Sequence, residues 1–158
     1  MKKVYVETSI LSFLCAEPSS IKKTAELQRA TLDWWMNHRH KYEVYVSSEV
    51  MIEIGKGDPE HARLRLEKAA ELKRIMSLAD DQALAKELTD RGLLPRKATI
   101  DASHLAIAVR TNMDYLLTWN LKHLANPIAL PLVYDYLRRT FRHVPLITTP
   151  VKLMELIR

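Results

Sequence analysis

The sequence predicts an α/β fold in which a central, mainly parallel β-sheet carries helices on both faces. Three observations lead there. Short β-branched and aromatic runs recur at Lys3–Val6, Glu43–Ser47, 114–118 and 144–147. Stretches of helical period and length separate them, the pattern of strand–helix–strand crossovers rather than of hairpins. The chain has 158 residues, 47% of them hydrophobic, and a chain of that length buries roughly 68–70% of its unfolded surface without a disulfide or metal staple.

The elements follow in order. Lys3–Val6 reads as a strand that ends in the polar triplet Glu7-Thr8-Ser9, with a helix from Ile10. Residues 21–40 are helical, with Ala25, Leu32, Trp35 and Met36 near one stripe. Trp34 and Trp35 are adjacent and so fall on different helix faces, one in the core and the other free for a partner surface. Glu43–Ser47 is the second strand, and Ser48 caps a short helix through Ile54 that Gly55 stops. Gly57-Asp58-Pro59 opens a further helix with proline in its first turn, along which Ala62, Leu66, Ala69, Leu72 and Met76 form one apolar stripe. Residues 80–91 form a helix ended by Gly92, and Thr99 caps a strongly apolar helix to about residue 111. The Leu-rich stretch 114–118 is a buried third strand. Helix 130–142, strand 144–147 and a closing helix over 150–157 complete the chain as one domain, 1–158.

Several classes drop out. The three glycines, Gly55, Gly57 and Gly92, form no phosphate-cradling loop. Cys15 stands alone, which excludes an intrachain disulfide framework and suits a small core residue better than a nucleophile. The six histidines show no zinc spacing. No apolar run approaches the roughly 18 residues of a membrane span, and MKKVYVETS lacks a signal-peptide core, so the cytoplasm is the expected compartment. A net charge of +5 is compatible with an anionic partner such as nucleic acid.

In open parallel sheets the ligand crevice lies beyond the carboxyl ends of the strands. Glu7-Thr8-Ser9 and Thr118-Trp119-Asn120 stand at two such ends. Glu53 lies late in the helix after the second strand, and Asp101 sits in the first turn of the helix at Thr99. Carboxylates converging from separate elements suit a hard divalent cation, because their mutual repulsion is relieved when one is bound. Other readings stand beside that one. Asp101 also complements a helix dipole, Glu53 also fits a solvated face, and Asn120 also closes a turn. His104, three residues after Asp101, shares its helical side; it either holds a carboxylate, touches substrate phosphate, or packs in the core. His123 falls near the pocket mouth or in the core on the same reasoning. Arg138, Arg139 and Arg142 cluster on one helix, as a solvated face or a phosphate track.

Taken together, VYVETSILSFL, SSEVMIEIGKGDP, ATIDASHLAIA, DYLLTWNLKHLAN and the closing PLITTP resemble PIN-domain proteins of the VapC-like toxin type, over nearly the whole chain. The resemblance implies a PIN-like fold and an Mg²⁺- or Mn²⁺-dependent ribonuclease, the toxin of a toxin–antitoxin pair. The family's four acidic positions fall on Glu7, Glu53, Asp101 and Asn120. The first is usually Asp in a D-T-[SN] motif and the fourth often Asp in T-x-D, so this chain departs at two of four. Glu7 moves its charge outward by one methylene, and Asn120 exchanges a charge for an amide donor. Glu7 and Asp101 are then the expected direct metal ligands. Glu53 acts through water, and Thr8, Ser9, His104 and Thr118 support the site or meet substrate. The implied partners are RNA, a cognate antitoxin and a second copy in a homodimer. A catalytically weak RNA-binding or regulatory protein of the same fold is the alternative.

Overall fold

The computed structural model describes residues 1–156. Five strands form one sheet in the order β3-β2-β1-β4-β5, and every neighbouring pair is parallel. The strands are β1 (Lys3–Val6), β2 (Glu43–Ser47), β3 (Lys73–Ile75), β4 (Tyr115–Leu117) and β5 (Leu146–Thr148). The helices are α1 (Thr8–Cys15), α2 (Lys22–Asp33), α3 (Ser48–Ile54), α4 (Pro59–Ala69), α5 (Ala79–Asp90), α6 (Thr99–Arg110), α7 (Leu130–Thr140) and α8 (Pro150–Leu156). The expected Ile157 at the end of the closing helix lies outside the described residues.

β1 is central because it is the strand that can be apolar on both faces: Val4, Tyr5 and Val6 are all fully buried. Its neighbours β2 and β4 pair with it in register, Val4 meeting Val44 on one side and Tyr115 on the other. α6 is buried along nearly its whole length, from Ala102 to Val109, as a helix apolar all round must be. α5 packs along it. An ion pair fastens the two, half-buried Arg110 donating from Nε to Oδ1 of the buried Asp81 at 2.6 Å.

Several expectations change. The helix expected to continue from residue 59 through Met76 ends at Ala69, and Lys73–Ile75 forms β3 instead, with Met76 exposed. A three-residue edge strand carrying Lys and Arg has no hydrophobic alternation to reveal it, and such charges keep an edge from pairing with other chains. The α2 region is not one regular helix: a π-helical turn occupies Trp34–His38 and a 3-10 turn Arg39–Lys41. The wider turn brings consecutive side chains closer to one direction, so Trp34 and Trp35 are both buried and neither serves as a partner surface. Leu32 and Met36, expected on the inward stripe, are exposed instead. Ser47, not Ser48, caps α3, its Oγ accepting from Val50 N at 3.2 Å, while Ser48 Oγ accepts from Ser77 N. The cap of α6 is Ala98 rather than Thr99. The final strand begins at Leu146, two residues later than expected, beyond Pro145, which has no N–H for the ladder.

Candidate functional site

β1 is the switch point of the sheet. From it the connections run to β2 and β3 on one side and to β4 and β5 on the other, and a crevice forms at the carboxyl ends of the strands flanking such a switch. Glu7 leaves β1 there, its N–H still donating to Leu117 O. Thr118 leaves β4 beside it, donating to Thr148 O.

Glu7 is 5% exposed. Its Oε1 accepts from Ser9 Oγ at 2.5 Å and from Thr118 Oγ1 at 2.6 Å. Those hydroxyls are themselves fixed. Ser9 Oγ accepts from Trp119 N at 2.9 Å, and Thr118 Oγ1 accepts from Asn120 N at 2.9 Å. The two polar triplets thus interlock through side chains across the strand ends.

Glu53 projects from α3 on the other side. Its Oε1 accepts from Thr8 Oγ1 at 2.6 Å and from His104 Nε2 at 2.5 Å. Burial alone would raise its carboxyl, but the histidine and the threonine outweigh that and hold it below the ordinary value. His104 is fully buried on α6. Burial disfavours its charged form, yet Glu53, Glu7 and Asp101 together push the imidazole above its usual range. Tyr5 Oη lies 2.6 Å from His104 Nδ1 and 2.6 Å from Ser47 Oγ. One hydrogen-bonded chain therefore runs from the α3 cap through Tyr5 and His104 to Glu53. Of the readings open for His104, the structure selects a histidine that holds a carboxylate, packed in the core against side chains.

Asp101 is half-buried in the first turn of α6. Burial raises its carboxyl, against the pull of His104, Asn120 and His123. Asn120 does two things. It favours the charged form of Asp101, and its Oδ1 closes a turn by accepting from His123 N at 3.0 Å. The turn-closing reading of Asn120 therefore holds.

All three carboxylates lie near enough to His104 to act on its imidazole. Among the described residues, however, no three His, Cys, Asp or Glu side chains stand close enough for a ready-made metal cluster. The expected convergence is incomplete because His104 and Thr8 draw Glu53 to their side. The donor chemistry nevertheless fits a hard cation. Each glutamate commits Oε1 to its hydrogen bonds, and among the described residues Oε2 of each accepts none. Mg²⁺ and Mn²⁺ want oxygen donors and need only one or two carboxylates beside water.

Tyr5 and Ser47 were not among the expected site residues. The signal for Tyr5 was a lone phenol inside an otherwise aliphatic strand, since a buried Tyr hydroxyl needs a partner. Ser47 looked like a strand residue before a capping serine, and only the fold shows that it is the cap. Away from the site, burial pushes the Cys15 thiol up, which does not favour a reactive thiolate. Arg139 pairs with Asp135 at 2.7 Å and Arg138 stacks over Tyr134, so these two arginines lie along their own helix.

A scan against protein-family models finds no match, and a search of curated proteins finds none either. Among solved structures the chain is similar to that of VapBC2 from Rickettsia felis bound to a promoter DNA fragment, at 15% identity and a TM-score of 0.55, over 93% of this chain and 98% of that one. It is also similar to VapC20 from Mycobacterium tuberculosis, a toxin that cleaves the sarcin-ricin loop, at 16% identity and a TM-score of 0.53, over 72% and 86%. These likenesses define the class of architecture: the α/β fold is the PIN-like fold of VapC toxins.

Proposed function

We propose that the chain is a divalent-metal-dependent endoribonuclease, the toxin of a toxin–antitoxin pair. The observation that carries this reading is Glu7, a buried carboxylate at the switch point of the sheet whose hydrogen bonds come from neutral hydroxyls alone. Glu7 and Asp101 would hold Mg²⁺ or Mn²⁺. The ion would supply charge to the scissile phosphate and a nucleophilic water near neutral pH. This chain's own residues do the rest. Ser9 and Thr118 aim the Glu7 carboxylate, His104 and Thr8 aim that of Glu53 toward water, and Asn120 favours the charged form of Asp101 against its burial. The solved toxins to which the chain is similar support RNA as substrate and an antitoxin as partner. A homodimer, a cytoplasmic location and action as one domain over residues 1–158 complete the reading. Among the described residues no helix is long and apolar enough to cross a membrane.

The test is cleavage of mixed structured RNAs by purified protein with Mg²⁺ or Mn²⁺, abolished by EDTA and absent in Asp101→Asn. RNA binding without metal-dependent cleavage would favour a regulatory RNA-binding protein instead. The engagement of Glu53 by His104 and the amide at Asn120 are the features that favour that second reading.

A further inference from the structure

Residues 89–96 leading out of α5 and the segment 122–129 enclose a cleft of about 500 Å³. Its charged lining is Asp90, Arg91, Arg96, Lys122 and His123. Asp90 is taken by Lys86 at 2.5 Å, and Arg91 is divided between Glu87 at 3.2 Å and the face of Tyr136. Among the described residues, Arg96 and Lys122 meet no carboxylate within ion-pair distance, and both are exposed. The only acid in the wall is already neutralised, so the cleft presents surplus positive charge. It borders Asn120 through His123, whose backbone N–H donates to Asn120 Oδ1 and which also acts on the Asp101 carboxyl. Among the described residues His123 Nδ1 is buried without a hydrogen-bond partner, which is rare for a nitrogen that strong. Two exposed cations without carboxylate partners in a polar cleft match a phosphate group.

We propose that this cleft is a phosphodiester subsite that holds the backbone of single-stranded RNA to one side of the carboxylates. Arg96 and Lys122 neutralise its phosphates, and His123 marks the junction with the reacting position. The assignment rests on the ribonuclease reading for its substrate. It concerns binding, not cleavage, so the two can fail separately.

The test is fluorescence anisotropy with a labelled 2′-O-methyl oligoribonucleotide, which resists cleavage, in EDTA across a salt series. Arg96→Ala/Lys122→Ala should weaken binding about tenfold and flatten the slope of log affinity against log salt by about 1.4, at about 0.7 per phosphate released. Lys22→Ala/Lys23→Ala removes the same charge from exposed positions on α2 and should leave the affinity within about twofold of wild type. Equal losses in the two double variants would reduce the effect to net charge and overturn the subsite. So would wild-type affinity in Arg96→Ala/Lys122→Ala, or no binding of the oligonucleotide by the wild-type protein. If wild type binds, the first variant fails selectively and no metal cleaves RNA, the subsite stands and the nuclease reading falls. Melting temperatures matched to wild type exclude misfolding as the cause.

Discussion

Glu7 and Glu53 both act on His104 and are held in opposite ways. Glu7 is the more buried, yet among the described residues it has no basic partner, only the hydroxyls of Ser9 and Thr118. Glu53 is the more exposed, with 24% of its side chain accessible, yet it is matched to a buried histidine. Coulomb cost predicts the reverse, because the deeper charge has the greater need of a counter-charge. The inversion separates two jobs. Glu53 is matched within the protein to His104 and fixed in direction; on the proposed reading, Glu7 is the side left for a cation from solution.

The largest effect should come from the uncompensated side. Glu7→Gln keeps the size of the side chain and removes its charge, so RNA cleavage should fall about a thousandfold, several kcal/mol of transition-state stabilisation. The rise in melting temperature with Mn²⁺ should vanish with it, while the metal-free variant melts no lower than wild type. A Mn²⁺ shift that survives the substitution would reassign the ligand.

The compensated side breaks differently. His104→Ala leaves Glu53 without its partner and should cost about 3–5 kcal/mol in urea denaturation. The pH dependence has a definite sign. Folding raises the His104 value, so that contribution is fully present below about pH 6.5 and is lost as pH rises through the raised value. Folding lowers the Glu53 value, so that contribution is present above about pH 4.5 and is lost as pH falls through the lowered value. The gap between wild type and variant should therefore be widest between about pH 4.5 and 6.5. A gap independent of pH would mean that His104 packs neutral and the contrast with Glu7 is smaller than drawn.

Tyr5→Phe keeps the ring and removes the hydroxyl that joins His104 to Ser47. A loss of about 1–2 kcal/mol is expected by the same denaturation measurement, since two buried polar atoms lose a partner. No loss would show that water replaces the phenol.

The smallest effect belongs to Asn120→Asp. A carboxylate there still accepts from His123 N but adds a like charge beside Asp101. The Mn²⁺ concentration for half-maximal stabilisation should fall a few-fold, and the metal-free protein should melt slightly lower. Identical titrations of both proteins would place Asn120 outside the metal's reach and leave Glu7 and Asp101 to hold it alone.

Four of the five strands and most helices were legible in the sequence because their apolar patterns match their burial. β3 was not, since its three residues owe their conformation to the neighbouring β2 rather than to any pattern of their own. The polar triplets at two strand ends marked the site for the same reason that glycine or apolar residues would not have: a buried carboxylate there needs company. Who keeps it company was out of reach. His104 lies 51 residues from Glu53, and Tyr5 lies 99 from His104. Their meeting is a product of the crossovers, not of spacing within any helix or strand.

The central place of β1 also sets an order of events during synthesis. β1 leaves the ribosome well before its second neighbour, β4. The Thr118 hydroxyl that anchors Glu7 lies 111 residues downstream. At ribosomal speeds that interval lasts on the order of ten seconds. Throughout it the newborn chain holds Glu7 without the strand that aims it.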